Sequence, residues 1–323
     1  MLTTVCQLAG SMSFIDEIDQ EFRLGGLDKA IAASSTAPIF DWLINVLSFQ
    51  GISDRVARDY AAKHGRATWT DLEQCLREPA KCSRLHSYWQ YFDCRYDKTS
   101  QTCAEPDHFD NCKLPHLRLR NGRLNQTAYS LYLFIRDVAC GDLVGWIRNQ
   151  IEATTAEPDR DLSAARQAAL VAPLQNVYGV GEKTLSMALS TLLIGARGLE
   201  PLWFDTGKDM VVVDSLAHNF LHRTGILHDC GAAHSYGPAC YAKGGCAAII
   251  RGIAAEIDCR QFNAAFPSVF PRFIQHSIWR FCAAEAANIC NGNRIDDRFA
   301  CQDRYCRLGS KCDRKPLKGT YFQ

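Results

Sequence analysis

The stretch DLSAARQAALVAPLQNVYGVGEKTLSMALSTLLIG, residues 161–195, sets the fold class. Its apolar residues recur at three- and four-residue spacing on both sides of a Gly-Val-Gly turn, which predicts two helices joined by a tight corner. The same spacing covers 123–147, and PIFDWLINVLSFQ at 38–50 predicts a buried helix. Strand signal is confined to a short MVVV run before Asp214. The sequence therefore predicts an all-α protein.

Length and composition describe an ordinary globular protein. The chain has 323 residues, enough for one large or two medium domains. Hydrophobic residues make up 47% and charged residues 22%, and the net charge is +1, so no overall acidic or basic surface is expected. The chain opens without a basic leader, and no run of about 18 apolar residues follows. We expect a cytoplasmic monomer with no membrane segment.

The Gly-Val-Gly corner has a possible role in binding DNA. Gly179 and Gly181 suit a turn whose backbone conformation a Cβ would penalise, and they let another backbone approach closely. The exposed amides of the corner and the positive end of the following helix together suit one phosphate of a nucleic-acid strand. Val180 and Thr184 belong to the same predicted DNA-binding group. The alternative is an ordinary packing corner between two helices.

Lys183 follows the corner and has three possible roles: phosphate anchor, surface lysine or nucleophile. An ammonium in the first turn of a helix faces the positive end of the helix dipole, and partial burial would also disfavour its charge. Both effects favour a neutral amine. Such an amine can attack the anomeric carbon of a nucleotide, form a Schiff base and lead to strand scission.

Asp214 has two possible roles that do not exclude each other. It follows an apolar run and precedes an amphipathic stretch, which is typical of a helix N-cap. A carboxylate in the same place can stabilise an oxocarbenium-like sugar when its base leaves.

These residues resemble the helix-hairpin-helix superfamily of DNA glycosylases, and most closely its endonuclease III branch. The family pattern Leu-Pro-Gly-Val-Gly-x-Lys-Thr-Ala is similar to residues 177–185, and Val-Asp-Thr-His followed by Arg-Leu-Gly-Leu is similar to 213–216 and 223–226. The resemblance implies that Lys183 is the Schiff-base lysine and Asp214 the catalytic aspartate. Two departures are Tyr178 in place of the usual proline and Leu216 in place of the usual histidine.

The resemblance also implies a fold, a substrate and a wedge residue. It implies a six-helix barrel that carries the hairpin, here 38–213, and a helical iron–sulfur cluster domain built from 1–37 and 214–323. The family pattern around Leu47–Asp54 places Gln50 where a polar side chain fills the space of an extruded base. The implied partner is double-stranded DNA with a damaged or modified base, and in a bacterium the protein would associate with the nucleoid. Within this reading a glycosylase without lyase activity and a non-catalytic iron–sulfur DNA-binding protein stay open.

Sixteen cysteines are an anomaly in a chain expected to be cytoplasmic, and metal binding is the better explanation for at least one cluster. Four of them lie near the end of the chain: Cys290, Cys301, Cys306 and Cys312. Four thiolates suit a [4Fe-4S] cluster or a tetrahedral zinc ion, and spacing alone does not choose between them. The family resemblance implies the cluster, with Cys282 as an alternative to Cys290 for the first ligand. Arginine and lysine outnumber aspartate from 290 onward, so the tail is locally basic and suits backbone phosphates.

Two further groups contain both cysteine and histidine, and either group could bind a zinc ion as a second metal site. Neither contains a standard Cys-x2-Cys pair, so buried free thiols or a redox-sensitive disulfide are the alternatives. The first lies in a predicted cysteine-rich insertion at 75–112 and consists of Cys75, Cys82, His86, Cys94, Cys103, His108 and Cys112. The second consists of His228, Cys230, His234, Cys240 and Cys246.

Overall fold

The computed structural model describes residues 1–47, 67–77, 82–97, 102–103, 121–154, 162–290 and 296–317, with positions 56, 59, 62 and 63 besides. Regular structure in these ranges is almost entirely helical, which confirms the predicted all-α class. The strand structure described is one antiparallel two-stranded ribbon, β1 (Tyr96–Asp97) and β2 (Thr102–Cys103), in which Tyr96 pairs with Cys103. The ribbon lies in the predicted cysteine-rich insertion, where the sequence showed no clear period.

The described helices are numbered in chain order. The first seven are α1 (Leu2–Ala9), α2 (Phe14–Gly25), α3 (Leu27–Ala32), α4 (Thr36–Leu47), α5 (Trp69–Leu76), α6 (Tyr88–Tyr91) and α7 (Asn121–Asp137). The remaining eight are α8 (Leu143–Ala153), α9 (Leu162–Leu174), α10 (Glu182–Gly195), α11 (Pro201–Gly207), α12 (Ser215–Arg223), α13 (Ile226–Asp229), α14 (Cys246–Ala254) and α15 (Pro271–Cys282). Short 3-10 turns lie at Ser83–Leu85, Ala196–Gly198, Pro238–Cys240 and Cys259–Gln261.

Residue contacts divide the chain into two compact units. One combines Met1–Ile18 with Gly207–Gln323, and the other runs from Asp19 to Thr206. We call them the discontinuous unit and the central unit. The domain boundaries predicted at 37/38 and 213/214 stay predictions.

The core of the discontinuous unit forms around α15. Helices α1, α12 and α14 all pack against it. Its side chains are buried on nearly every face, with Phe273, Ile274 and Ile278 fully enclosed. A helix that is buried on nearly all sides needs other elements to surround it, as these three do. The arrangement places the N-terminal ends of α12 and α14 in one unit.

The core of the central unit joins α4, α7, α8, α9 and α10. The predicted buried helix at 38–50 corresponds to α4, whose Ile39 and Phe40 are fully buried. Phe40 makes an edge contact with Trp69 at 5.4 Å between ring centroids. Helix α10 packs against both α4 and α9, so the corner between α9 and α10 is fixed from beneath by the same core.

Candidate functional site

The corner between α9 and α10 has the shape that the sequence predicted. Val177 and Val180 are buried and line the apolar cavity of the central unit. Gly179 lies between them with φ +74°, a left-handed conformation that glycine adopts without the penalty of a Cβ. The Val180 amide donates to the Val177 carbonyl at 3.2 Å and closes the turn. The two valines therefore anchor the corner while its glycines bend it.

Gly181 is the N-cap of α10 and is exposed. Its backbone is extended, with φ −104° and ψ 162°, and it supplies no side chain to cap the first turn. A Cβ built at Gly181 would meet no atom of the described residues within 4 Å. The start of α10 therefore leaves room for another backbone to approach, and the helix dipole favours an anionic one.

Tyr178 takes the place of a proline in the family pattern, and the structure gives it a physical role. Its amide donates to the Ser130 hydroxyl at 3.0 Å, and its carbonyl accepts from the Thr127 hydroxyl at 2.9 Å. A proline has no N–H and would lose the first of these bonds. Both hydroxyls belong to α7, which therefore ties the corner to the core.

Lys183 and Thr184 lie in the first turn of α10, where Lys183 is exposed and Thr184 is half-buried. The partial burial expected for Lys183 is therefore not observed. Gln50, the predicted wedge residue, lies outside the described residues.

Asp214 is the N-cap of α12, as one of its two predicted roles requires. Its Oδ1 accepts from the Ala217 amide at 2.8 Å, and the residue is half-buried. The preceding Val213 is held by Tyr241, whose hydroxyl accepts from the Val213 amide at 2.9 Å and donates to its carbonyl at 3.3 Å. Asp214 belongs to the discontinuous unit and Lys183 to the central unit.

Arg272 is a charged residue near Asp214 that the sequence did not indicate. It lies on α15 and is buried, with Nη1 donating to Gln275 Oε1 at 2.6 Å. Burial lowers the pKa of Arg272 to about 10, and the charges of Tyr241 and Asp214 oppose that shift. A buried cation thus interacts electrostatically with the carboxylate at the start of α12.

The four cysteines near the end of the chain line one cavity in the discontinuous unit: Cys290, Cys301, Cys306 and Cys312. Backbone contacts hold the loop around them, including the Cys301 amide donating to the Arg314 carbonyl at 3.0 Å. Burial raises the pKa of Cys306 and of Cys312, and the neighbouring thiols of the group raise both further. Cys282 is fully buried beside Cys290, hydrogen-bonds to it and is not part of the cavity lining.

Arg223 supplies positive charge to this cysteine cavity. Its side chain lines the cavity and is only 3% exposed. Nη2 donates to Asp297 Oδ1 at 2.8 Å, whereas Nη1 is buried without a hydrogen-bond partner among the described residues. An unpartnered buried donor is costly unless an acceptor is supplied. Four thiolates on a metal centre would supply such an acceptor, so the donor set fits an anionic centre here.

A second group, which we call the His/Cys tetrad, consists of His218, His234, Cys240 and Cys246 and could hold a metal ion. One ligand atom from each residue lies within 4.8 Å of the others. His218 Nδ1 is 3.4 Å from Cys246 Sγ and 3.5 Å from Cys240 Sγ. His234 Nε2 is 3.4 Å from Cys246 Sγ. In the part of the chain that the structure describes, no other group of three or more such residues meets this criterion.

Electrostatics in the tetrad keep the imidazole of His218 neutral. Burial lowers the pKa of His218 to about 4, with smaller contributions from His234 and His222. Burial also raises the pKa of Cys246, and Cys240 raises it further. A neutral imidazole is the form that ligates metal ions, whereas the thiols must lose protons to do so.

The tetrad differs from the group predicted at 228–246, because it leaves out two predicted ligands and includes one that was not predicted. His234, Cys240 and Cys246 come together as predicted, but Cys230 is exposed and outside the group. The ring of His228 instead contacts that of His222, with centroids 5.3 Å apart and planes tilted by 60°. The missing ligand is His218, which comes from α12 and lies ten residues before the first member of the predicted group.

The cysteine and histidine residues of the predicted insertion do not form such a group among the residues described. Cys75, Cys82, His86, Cys94 and Cys103 are placed, while His108 and Cys112 lie outside the described residues. No disulfide joins two of the cysteines within the described ranges.

Comparisons with known proteins leave the resemblance to glycosylases resting on the quoted motifs. No protein-family model, curated protein or solved structure matches the chain. In the described ranges, no helix is both long and apolar enough to cross a membrane.

Proposed function

We propose that the protein is a helix-hairpin-helix DNA glycosylase that excises a damaged or modified base and cleaves the strand through Lys183. One observation carries this proposal: the corner at 177–181 is open at Gly181, and the exposed Lys183 follows two residues later. An amine beside a phosphate-binding corner is where a covalent attack on the bound sugar can occur. The substrate is double-stranded DNA, whose target base leaves the stack before reaction.

The proposed chemistry assigns one role to each of two side chains. The Asp214 carboxylate stabilises the positive charge that develops on the sugar as the bond to the base breaks. The Lys183 amine forms a bond to the anomeric carbon, and the base leaves with the electron pair of the broken bond. Loss of a proton from nitrogen and opening of the sugar give the Schiff base. Removal of a neighbouring carbon-bound proton then expels the 3′ phosphate by β-elimination.

The four-cysteine cavity has a supporting role in the proposal. Cys290, Cys301, Cys306 and Cys312 would hold a [4Fe-4S] cluster, with zinc as the alternative metal and Cys282 as the alternative first ligand. The Nη1 of Arg223, which is buried and has no hydrogen-bond partner in the described part of the chain, supports an anionic centre there. Arg223 is the last residue of α12, and its carbonyl accepts from the Lys315 amide of the C-terminal loop at 2.9 Å. A centre bound by the four cysteines would strengthen this connection between the loop and α12.

A surface near the same cysteines is suited to DNA. Tyr305 is 97% exposed, and the adjacent Arg304 and the nearby Arg307 are exposed as well. Cationic side chains bind phosphates, and an exposed aromatic ring can stack on a base. Ion pairs such as Arg298–Asp296 at 3.2 Å neutralise part of the local charge, so the contact is expected to be modest and sensitive to salt.

Base release from a panel of modified duplexes tests the proposed function. We expect wild-type protein to release the modified base from at least one duplex and to leave an incised strand without alkaline treatment. Release that needs alkali to reveal the abasic site would favour the glycosylase-only alternative. Binding without release on any duplex would contradict the enzyme assignment and favour a DNA-binding protein.

Gly181→Ala is expected to weaken DNA binding about tenfold, because a charge-assisted bond to phosphate is lost. The extended backbone at Gly181 suits alanine, and the added methyl group meets no protein atom within 4 Å. The methyl group instead occupies the space that the DNA backbone needs. Fluorescence anisotropy with a short duplex at two salt concentrations measures the change.

Gly198→Ala is the matched control for this prediction. Gly198 is exposed in the same unit, has no positive φ, and its added Cβ would also meet no atom within 4 Å. Equal affinities for Gly181→Ala and Gly198→Ala would contradict a phosphate contact at the corner.

A further inference from the structure

We propose that His218, His234, Cys240 and Cys246 bind one zinc ion in a closed structural site of the discontinuous unit. The site is independent of the proposed glycosylase activity and is separate from the cysteine cavity at the end of the chain. Its four ligands come from α12, from the loop after α13, from the 3-10 turn and from the first residue of α14.

The distances within the tetrad match those of a tetrahedral site. Zinc binds thiolate sulfur at about 2.3 Å and imidazole nitrogen at about 2.0 Å, which puts ligand atoms about 3.6 Å apart in a tetrahedron. The three nitrogen-to-sulfur distances, 3.4, 3.5 and 3.4 Å, agree with that separation. All four ligand atoms also lie within 4.8 Å of one another, close enough to share one ion.

The mixture of ligands favours zinc over other centres. Two thiolates and two imidazoles in tetrahedral arrangement suit zinc or an iron–sulfur centre. A two-iron cluster with this ligand set keeps its imidazoles on one iron and its thiolates on the other, which separates the two kinds of ligand. Here His218 Nδ1 lies beside both thiols, so a two-iron cluster does not fit. Four protein ligands also leave no open position, which marks the site as structural.

A hydrogen bond to the backbone orients the imidazole of His234. His234 Nδ1 donates to the Ala232 carbonyl at 2.6 Å, so Nε2 is the free ligand atom and faces Cys246. Metal-binding histidines are commonly oriented through their other ring nitrogen in this way. The backbone of the loop itself therefore sets the tautomer that zinc requires.

The ion would stabilise a region with little regular structure. Between α12 and α14 lie one four-residue helix and one three-residue 3-10 turn. Zinc would join this loop to α12 at His218 and to α14 at Cys246. Tyr241, next to Cys240, holds both backbone groups of Val213, so the same loop also fixes the residue before Asp214.

Metal analysis of purified wild-type protein and of Cys240→Ser tests the proposal. Wild type is expected to hold about one zinc per chain at this site, and Cys240→Ser to lose that equivalent. Cys230→Ser is the matched control, because Cys230 lies in the same loop but is exposed and outside the tetrad. Zinc content is compared with wild type in each case, so metal held by the terminal cysteines cancels. An unchanged zinc content in Cys240→Ser, or iron in place of zinc at this site, would overturn the proposal.

A measurement on wild-type protein guards against a Cys240→Ser variant that does not fold. Protein prepared with cobalt in place of zinc is expected to show the ligand-field and thiolate charge-transfer bands of tetrahedral Co²⁺. Cys301→Ser should keep the bands of the tetrad, whereas His234→Asn should lose or shift them. Chelation should lower the melting temperature of wild type and of Cys230→Ser, since the ion binds only the folded state. Wild-type protein with no tetrahedral cobalt spectrum would contradict the site regardless of how the variants fold.

Discussion

Lys183→Arg is expected to abolish covalent trapping on DNA by borohydride while leaving DNA affinity within about threefold of wild type. Arginine keeps the positive charge that a phosphate contact needs, but its guanidinium stays protonated and does not form a Schiff base. Lys183 is exposed in the first turn of α10, so the longer side chain has room. The experiment therefore separates a nucleophile from a phosphate anchor, which the sequence left open.

Lys29→Arg is the matched control for the trapping experiment. Lys29 is also exposed, also lies in the first turn of a helix, also follows an acidic residue, and belongs to the same unit. The Lys29→Arg variant should form the covalent adduct with DNA as wild type does. If Lys183→Arg still gives an adduct, another amine is the nucleophile. If wild type releases bases but never traps, the enzyme is a glycosylase without lyase activity.

The helix corner could be predicted from sequence because its determinants are local. Glycines two residues apart fix the turn, buried valines beside them fix its anchoring, and Glu182 begins α10 where the periodicity predicted. The exposure of the Lys183 side chain could not be predicted from the sequence, because it depends on how α10 packs against α4 and α9. The hydrogen bond from the Tyr178 amide to the Ser130 hydroxyl could not be predicted either, because the two residues are 48 positions apart in the chain.

The His/Cys tetrad shows where sequence reasoning failed. Three of its members fell within a predicted group because they lie close together, but His218 sits on α12 and reaches them only through the fold. Two nearby candidates, His228 and Cys230, satisfied the sequence pattern equally well and do not take part. The one available signal was a histidine four residues after a helix N-cap, on the face that buries Ala217 and Leu221, and such histidines are commonly part of a core.

Asp214→Asn is expected to slow base release by about 10²- to 10³-fold, the usual cost of removing an electrostatic group that stabilises a transition state. Asparagine caps helices about as well as aspartate, so its side-chain oxygen can still accept from the Ala217 amide and α12 is kept. The negative charge that would stabilise the sugar cation is lost. Single-turnover kinetics on the duplex that wild type cleaves best measure the change.

Asp142→Asn controls for the loss of a carboxylate at a helix N-cap. Asp142 caps α8 by accepting from the Gly145 amide at 2.8 Å, and Asp214 likewise accepts at 2.8 Å from the amide three residues after it. Its replacement should leave base release unchanged. Asp214 also interacts with the buried Arg272, so the melting temperature of Asp214→Asn must be measured alongside its rate. A variant that melts like wild type and reacts far more slowly identifies the charge itself as the catalytic element, whereas unchanged base release would reduce Asp214 to a helix cap.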